Sequence, residues 1–326
     1  MMASAVDLAG RMSKPSSILC LCVLVSRVLF AAAEAGQPGG YLRAGVGARA
    51  AALGNAYTAL AEGPEAAYWN PAGLAWSQRP AINTMVSTLS LNRQFNYAGV
   101  ALAWDAAAAT GSARQTSFPA PKGFGNWGLG WLSFSLGNDF EGRTDDTASF
   151  YTFGDQQDAY LLSYGRALFP WWSLGVSAKA YEHRLDSFDA TGGGLDVGTL
   201  LLLGSQVRFG LQAQDLASQL NWSTGYQESF PLTLRADLAA WAWKDRLLFS
   251  GQLEQVSGRQ PDGGLGLEVK IAQVLAARLG WEEDGLTLGG GISLEFRHFK
   301  GNLDYAYLPD PLLQGNAQRI SLEIAF

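Results

Sequence analysis

Cysteine is nearly absent from this chain, which excludes several kinds of site. Its 326 residues include only two cysteines. Cys20 and Cys22 both lie in an amino-terminal segment that we expect to be removed, so the mature chain would have no disulfide, no thiolate metal site and no cysteine nucleophile. A leucine precedes each cysteine, where lipoprotein cleavage needs a small residue, and we therefore expect no lipid anchor.

Histidine and clustered charge are scarce as well. The two histidines, His183 and His298, are far apart in the sequence, and no G-x-S-x-G string accompanies them. Zinc usually needs three or four ligands, so we expect no metal site. Without a nucleophile motif beside a histidine, we also expect no cofactor and no enzymatic activity. The formal net charge is −6, without clusters of lysine or arginine, and this excludes nucleic acid as a partner.

The longest apolar stretch, residues 18–30, is interrupted by Arg27 and is shorter than the roughly 20 residues that a transmembrane helix needs. A basic start at residues 11–14 precedes it, and small residues follow it. This order is typical of an export signal that is cleaved after Ala33 or Ala35. We predict a signal peptide over residues 1–35, with a membrane-spanning helix as the less favoured alternative.

The end of the chain alternates between apolar and polar residues. Ile320, Leu322, Ile324 and Phe326 fall on one face of a strand, and the residues between them fall on the other. An outer-membrane barrel closes its sheet with such a strand, lipid on one side and the lumen on the other. The alternative is an edge strand of a soluble sheet.

Similar alternation recurs along most of the chain, every ten to fifteen residues. The predicted strands span residues 80–92, 94–105, 125–137, 156–168, 171–184, 193–204, 205–215, 230–242, 245–256, 263–272, 274–282, 285–296, 299–307 and 316–326. Fourteen is an even number, as single-chain bacterial barrels require. The fold class predicted for residues 80–326 is an all-β transmembrane barrel with about 14 antiparallel strands.

The connections between these strands alternate in length from the third strand onward, which places both barrel termini on the periplasmic side. The longer connections are predicted at residues 138–155, 185–192, 216–229, 257–262 and 309–315. One long connection, residues 106–124, breaks the rule and is treated as an insertion. The partners implied are outer-membrane lipid and the barrel assembly machinery, which would recognise Phe326 and the strand that it ends.

Residues 36–79 differ from the strands because they are rich in alanine and compatible with helix. Asn70 is a good N-cap and Pro71 suits the first helical position, so these residues, followed by Ala72 and Gly73, predict the start of a short helix. This local interpretation needs no ligand.

Two strings in this segment carry a family resemblance. Residues 43–51 read RAGVGARAA and residues 68–74 read YWNPAGL. The chain resembles the PorV/PorQ family of outer-membrane barrels over about residues 41–326. That resemblance implies a fourteen-stranded barrel related to the FadL-type fatty-acid transporters, with the Asn-Pro-Ala segment in a hatch inside the lumen. The insertion at 106–124 departs from the family.

Two functions follow from these features. The resemblance to PorV implies a part in type IX-like secretion, with extracellular loops such as 138–155 binding the carboxy-terminal domains of exported cargo. The alternative is passage or binding of an apolar small molecule, because Leu200, Leu201, Leu202 and Leu203 place leucines on both faces of one strand, at least two of them in the lumen. Contact with the hatch explains those leucines equally well.

Overall fold

The computed structural model describes residues 38–103, 124–143, 150–283, 285–310 and 315–326. The predicted signal peptide and nearly all of the predicted insertion lie outside the described residues.

Fifteen antiparallel strands are present in the described residues, and fourteen of them form one closed wall. The strands are β1 (Ala81–Thr88), β2 (Arg93–Leu102), β3 (Asn126–Gly142), β4 (Tyr151–Phe169), β5 (Trp172–Leu185), β6 (Phe188–Leu203), β7 (Val207–Trp222), β8 (Gln227–Ser229), β9 (Thr233–Ala242), β10 (Leu247–Val256), β11 (Asp262–Lys270), β12 (Leu275–Glu282), β13 (Gly285–Glu295), β14 (Lys300–Asp310) and β15 (Gly315–Ala325).

Consecutive strands pair with each other around the wall, and β1 pairs with β15 to close it. The exception is β8, a three-residue strand that pairs with the end of β7, while β7 continues the wall to β9. The prediction of a closed barrel of fourteen strands is therefore confirmed.

The two faces of each strand meet different surroundings. In β1, Asn83 and Met85 are buried inside the barrel, whereas Ile82 and Val86 are exposed on its outside. Along β15, Ile320 and Leu322 face outward and the polar residues between and before them face inward, as predicted. An apolar band on the outside of a closed barrel is the surface that a bilayer covers.

Three of the connections predicted to be long are mostly strand, so those loop bounds are wrong. Residues 138–142 belong to β3 and residues 151–155 to β4, Asp186 and Ser187 alone connect β5 to β6, and β7 continues to Trp222. The physical reason is that alternation requires lipid on one face. Beyond the apolar band polar and apolar residues no longer alternate regularly, so the hydrogen-bonded ladder continues without a pattern in the sequence.

Several tryptophans near strand ends lie on the outer face, but Trp241 does not. Trp127, Trp171 and Trp243 are exposed on the outside, where an indole ring suits the headgroup level. Trp241 is buried inside the barrel instead, and the Arg208 guanidinium lies 5.1 Å from its ring centroid. The period of two explains this difference, since Trp241 is in phase with the inward residues of β9.

Short helices occupy the segment before the barrel. They are the 3-10 helices Gly40–Arg43, Gly63–Glu65 and Pro71–Trp76 and the single-turn α-helices α1 (Ala48–Ala51) and α2 (Ala66–Trp69). No helix in the described part of the chain has the length and hydropathy to cross a membrane.

Candidate functional site

Residues 38–79, called the plug here, occupy the lumen of the barrel. Leu42, Leu53 and Trp69 of the plug are fully buried and belong to one hydrophobic cluster with Met85 and Phe95 of the wall. The barrel end at which β1 begins and β15 ends is called the base, and the opposite end is called the distal end. The boundaries predicted at residues 35/36 and 79/80 stay predictions.

A belt of inward-facing glycines lets the plug backbone lie directly against the wall. A Cβ atom added at Gly210 would lie 2.7 Å from the Thr58 carbonyl oxygen, and one added at Gly266 would lie 2.7 Å from the Leu53 carbonyl oxygen. Real Cβ atoms do not approach so closely, so glycine is required at these positions by space rather than by φ. The belt runs over eight strands: Gly128, Gly165, Gly175, Gly198, Gly210, Gly264, Gly266, Gly280 and Gly289.

Polar contacts also fix the plug against the wall. Arg49 makes a bidentate ion pair with Glu268 of β11, with distances of 2.9 and 3.1 Å. The Thr58 backbone N–H donates to Asp237 of β9 at 2.6 Å. Arg319 donates to two plug carbonyl oxygens at 3.0 and 3.2 Å. Such bonds satisfy buried polar groups that would otherwise cost about 1–3 kcal/mol each.

Charged side chains that face the lumen serve mainly to join the plug to the wall and one strand to the next. Arg208 pairs with Glu62 of the plug, and Arg235 pairs with Glu254 of the neighbouring strand at 2.6 Å.

The Asn-Pro-Ala-Gly motif lies at the base, against β4, β5 and β6. The Asn70 side-chain oxygen accepts from the Ala72 N–H at 3.1 Å, which makes Asn70 the N-cap of the helix that begins at Pro71. Its amide nitrogen donates to the carbonyl oxygen of Thr199 in β6 at 3.0 Å. Asn70 thus joins the plug helix to the wall, and a role of the motif in permeability stays a prediction.

The four leucines of β6 also lie towards the base. Leu200 is fully buried, and Leu202 lies on the same inward face of the strand. Leu201 and Leu203 lie on the outward face, where Leu203 is exposed. The residue opposite Leu200 in β7 is Gly210, against which the plug backbone packs. This placement fits the plug-contact explanation, and ligand contact at these leucines stays a prediction.

Glu65 is a buried acid of the plug. Its carboxylate accepts from the Asn83 amide at 3.2 Å. Burial raises the pKa of Glu65 from 4.5 to about 8, the carboxylates of Glu323 and Asp304 raise this pKa as well, and Arg49 lowers it. The side chain is therefore protonated at neutral pH. Among the described residues, no group of three or more His, Cys, Asp or Glu side chains can hold a metal ion.

A cavity of about 180 Å³ lies at the distal end, between the start of the plug and the wall. Its apolar lining consists of Tyr41 from the plug, Tyr181 from β5, Leu220 from β7 and Phe230 from the connection before β9. The rings of Tyr181 and Phe230 are packed at 4.9 Å between centroids. Gln157, Glu182, His183 and Glu228 add polar side chains to the lining, so the cavity offers apolar and polar contacts to a small molecule.

A buried charge cluster supports the wall of this cavity. Lys179 Nζ lies 2.7 Å from Asp196 Oδ1 and also contacts Asp215, and all three side chains are almost fully buried. The Tyr181 hydroxyl donates to Asp215 at 2.9 Å. Asp215 has a positive φ of 64° at an irregularity of the β6–β7 pairing, so the bulge directs its carboxylate at the lysine and the tyrosine.

Sequence reasoning missed this cavity. Tyr41 and Phe230 are far apart in the chain, and only the closed wall and the inserted plug bring them together. His183, which the sequence gives no partner, lines the cavity, and its Nε2 lies 2.7 Å from Asp155 Oδ1. Tyrosine at an inward position of a predicted strand was the available signal.

Comparison with solved structures finds the same architecture in barrels named as transporters. The Pseudomonas putida toluene transporter TodX matches with a TM-score of 0.57 and 14% identity, over 86% of this chain and 97% of that one. The Ralstonia pickettii toluene transporter TbuX gives 0.54 and 12%, over 86% and 97%. A Pseudomonas aeruginosa FadL homologue gives 0.51 and 11%, over 84% and 96%.

No family model and no curated protein matches this sequence. At identities of 11 to 14% the structural likeness establishes the fold alone, which is that of the FadL-type barrels.

Proposed function

We propose that this chain is an outer-membrane barrel that admits compact apolar molecules from outside the cell. The observation that carries the proposal is the cavity at the distal end, between the start of the plug and the wall, where three aromatic rings and Leu220 form the apolar part of the lining. A cavity of about 150 Å³ lined by apolar side chains is enough to bind benzene. The 180 Å³ found here therefore suits one ring with a short substituent.

Two further features support this proposal. The outward apolar residues of the closed wall suit a bilayer. With both barrel termini on the periplasmic side, as predicted, the distal end would face the outside. The fold is shared with two barrels named as toluene transporters. Passage of an apolar small molecule is thus favoured over secretion.

The experiment fills the cavity. Leu220→Trp puts a larger side chain into it, and Leu211→Trp makes the same change on the outward face of the same strand as the control. Cells or proteoliposomes that carry the wild-type barrel should take up labelled toluene faster than those without it. Leu220→Trp should reduce that gain several-fold and Leu211→Trp should preserve it. Equal uptake with and without the barrel would refute the proposal.

Cargo handling in a PorV-like pathway is the second candidate, and it depends on the sequence strings at residues 43–51 and 68–74. Both strings lie in the plug, where they pack against the wall. The candidate is tested by affinity capture from a cell that encodes type IX machinery. Specific capture of proteins with carboxy-terminal sorting domains, weakened when residues 144–149 are deleted, would support it.

A further inference from the structure

The hydrogen-bond donors in the wall of the distal cavity are directed at acceptors within the protein. His183 Nε2 and the Gln157 side-chain nitrogen lie 2.7 and 2.9 Å from the two carboxylate oxygens of Asp155. The Tyr181 hydroxyl donates to Asp215, and the Tyr41 hydroxyl donates to the Asp158 carbonyl oxygen at 3.4 Å. An ionised carboxylate can only accept, so these bonds use the donors and leave oxygen lone pairs for a ligand.

One of the remaining acceptors carries a charge. Glu228 of β8 lies directly opposite Leu220 of β7, and residues in opposite positions of a pair share a face, so its carboxylate faces the lumen with Leu220. Its side chain is among those that line the cavity. No residue in the described ranges donates a hydrogen bond to that carboxylate. Neither lysine nor arginine is among the described residues of the lining.

Aromatic rings and a carboxylate together favour a positive charge. The negative face of a phenyl or phenol ring attracts a cation within about 6 Å of its centroid. Tyr181 and Phe230 present two rings that are tilted by 49° and adjacent to each other. A carboxylate-bearing molecule would find no lysine or arginine in the described lining and would face Glu228.

We infer, on the basis of the proposed function, that the preferred ligands of the cavity are small aromatic amines in their protonated form. The ring of the amine packs among Tyr41, Tyr181 and Phe230, and the ammonium group donates to Glu228. Selection against carboxylates follows from the same residues. The cavity therefore selects its ligands by charge as well as by size.

Three probes of similar size separate the contributions. Phenethylamine is protonated at neutral pH, ethylbenzene is uncharged and 3-phenylpropionate is anionic. Binding of each to the purified full-length barrel in a non-ionic detergent is measured by calorimetry at pH 7. Phenethylamine should bind at least about tenfold more tightly than ethylbenzene, because a hydrogen bond to a charged group is worth a factor of that order or more. 3-Phenylpropionate should bind more weakly than both.

Matched variants identify the carboxylate. Glu228→Gln should weaken phenethylamine binding about tenfold and leave ethylbenzene binding unchanged. Glu182→Gln is the control, because Glu182 also borders the cavity but its side chain is about half exposed on the outward face, 3.8 Å from Arg184. That control should preserve the preference for the amine.

Each outcome has one meaning. If ethylbenzene binds as tightly as the amine, or if Glu182→Gln and Glu228→Gln act alike, the amine preference is wrong and the proposed function survives. Tighter binding of 3-phenylpropionate than of phenethylamine also overturns the amine preference alone. If none of the three probes binds, the proposed function fails together with it.

Discussion

Raising the pH should loosen the plug through one side chain, Glu65. In the seated plug the pKa of Glu65 is about 8, mainly because of burial and because the carboxylates of Glu323 and Asp304 lie nearby. With the plug displaced into solvent, this pKa returns to about 4.5. The seated state therefore holds its proton over a pH range in which the displaced state has lost it.

The sign and size of the effect follow from proton linkage. Between pH 4.5 and pH 8 the seated state binds more protons than the displaced state, so the free energy of seating becomes less favourable as the pH rises. At about 1.4 kcal/mol per pH unit, the total comes to about 5 kcal/mol at and above pH 8. At pH 6 the loss is about 2 kcal/mol.

Glu65→Gln removes the titration but keeps a neutral group of similar shape. The assay is hydrogen exchange of plug amides in wild type and variant at matched pH values from 5 to 9, which cancels the intrinsic pH dependence of exchange. Protection should be similar at pH 5, and the variant should be increasingly better protected above pH 6. Glu62→Gln is the control for loss of a plug carboxylate, since Glu62 faces Arg208 rather than other acids. Parallel profiles for wild type and Glu65→Gln would refute the reasoning.

Three further changes test other parts of the molecule. Asn70→Ala removes the N-cap and should cost about 1 kcal/mol locally, so protease should cut the plug sooner while the barrel stays heat-modifiable; an unchanged cleavage pattern contradicts this. Gly198→Val forces a side chain into Asn70 and Pro71 and should displace the plug, which is measured as increased antibiotic sensitivity of the cells. Gly301→Ala is the control and should have no effect, because a Cβ atom at Gly301 would have no neighbour within 4 Å. Deleting Phe326, half exposed at the end of the last strand, should lower the yield of folded barrel on gels, and normal yield would show that this residue is not an assembly signal.

The sequence was sufficient to predict the wall because each strand carries its own signal. A strand between lipid and lumen must alternate, as β9 does with Leu234 and Leu238 outside and Arg235 and Asp237 inside. The signal fails where lipid ends, which is why β3, β4 and β7 are longer than expected. Hydrogen bonding between strands continues there, but the sequence of a single strand does not reveal it.

The site was less predictable because it depends on register between distant segments. Gly165, Gly175 and Gly198 are adjacent across three strands, which only the pairing of those strands reveals. The cavity adds a plug residue, Tyr41, to wall residues from β5 onward. Asn70 was recognisable as an N-cap from its own neighbours, whereas its bond to Thr199 needed the assembled barrel.

The glycine belt has an electrical consequence for the membrane. At the level of the belt, eight strands have no side chain with which to narrow the bore, so the insulation there comes from a separate stretch of the same chain. A molecule without residues 38–79 would retain the hydrogen-bonded wall and lose the insulator. It should then behave in a planar bilayer as a steadily open conductor rather than as a closed or collapsed barrel. The short strings at 43–51 and 68–74 would be among the residues that prevent ions from leaking through the intact molecule.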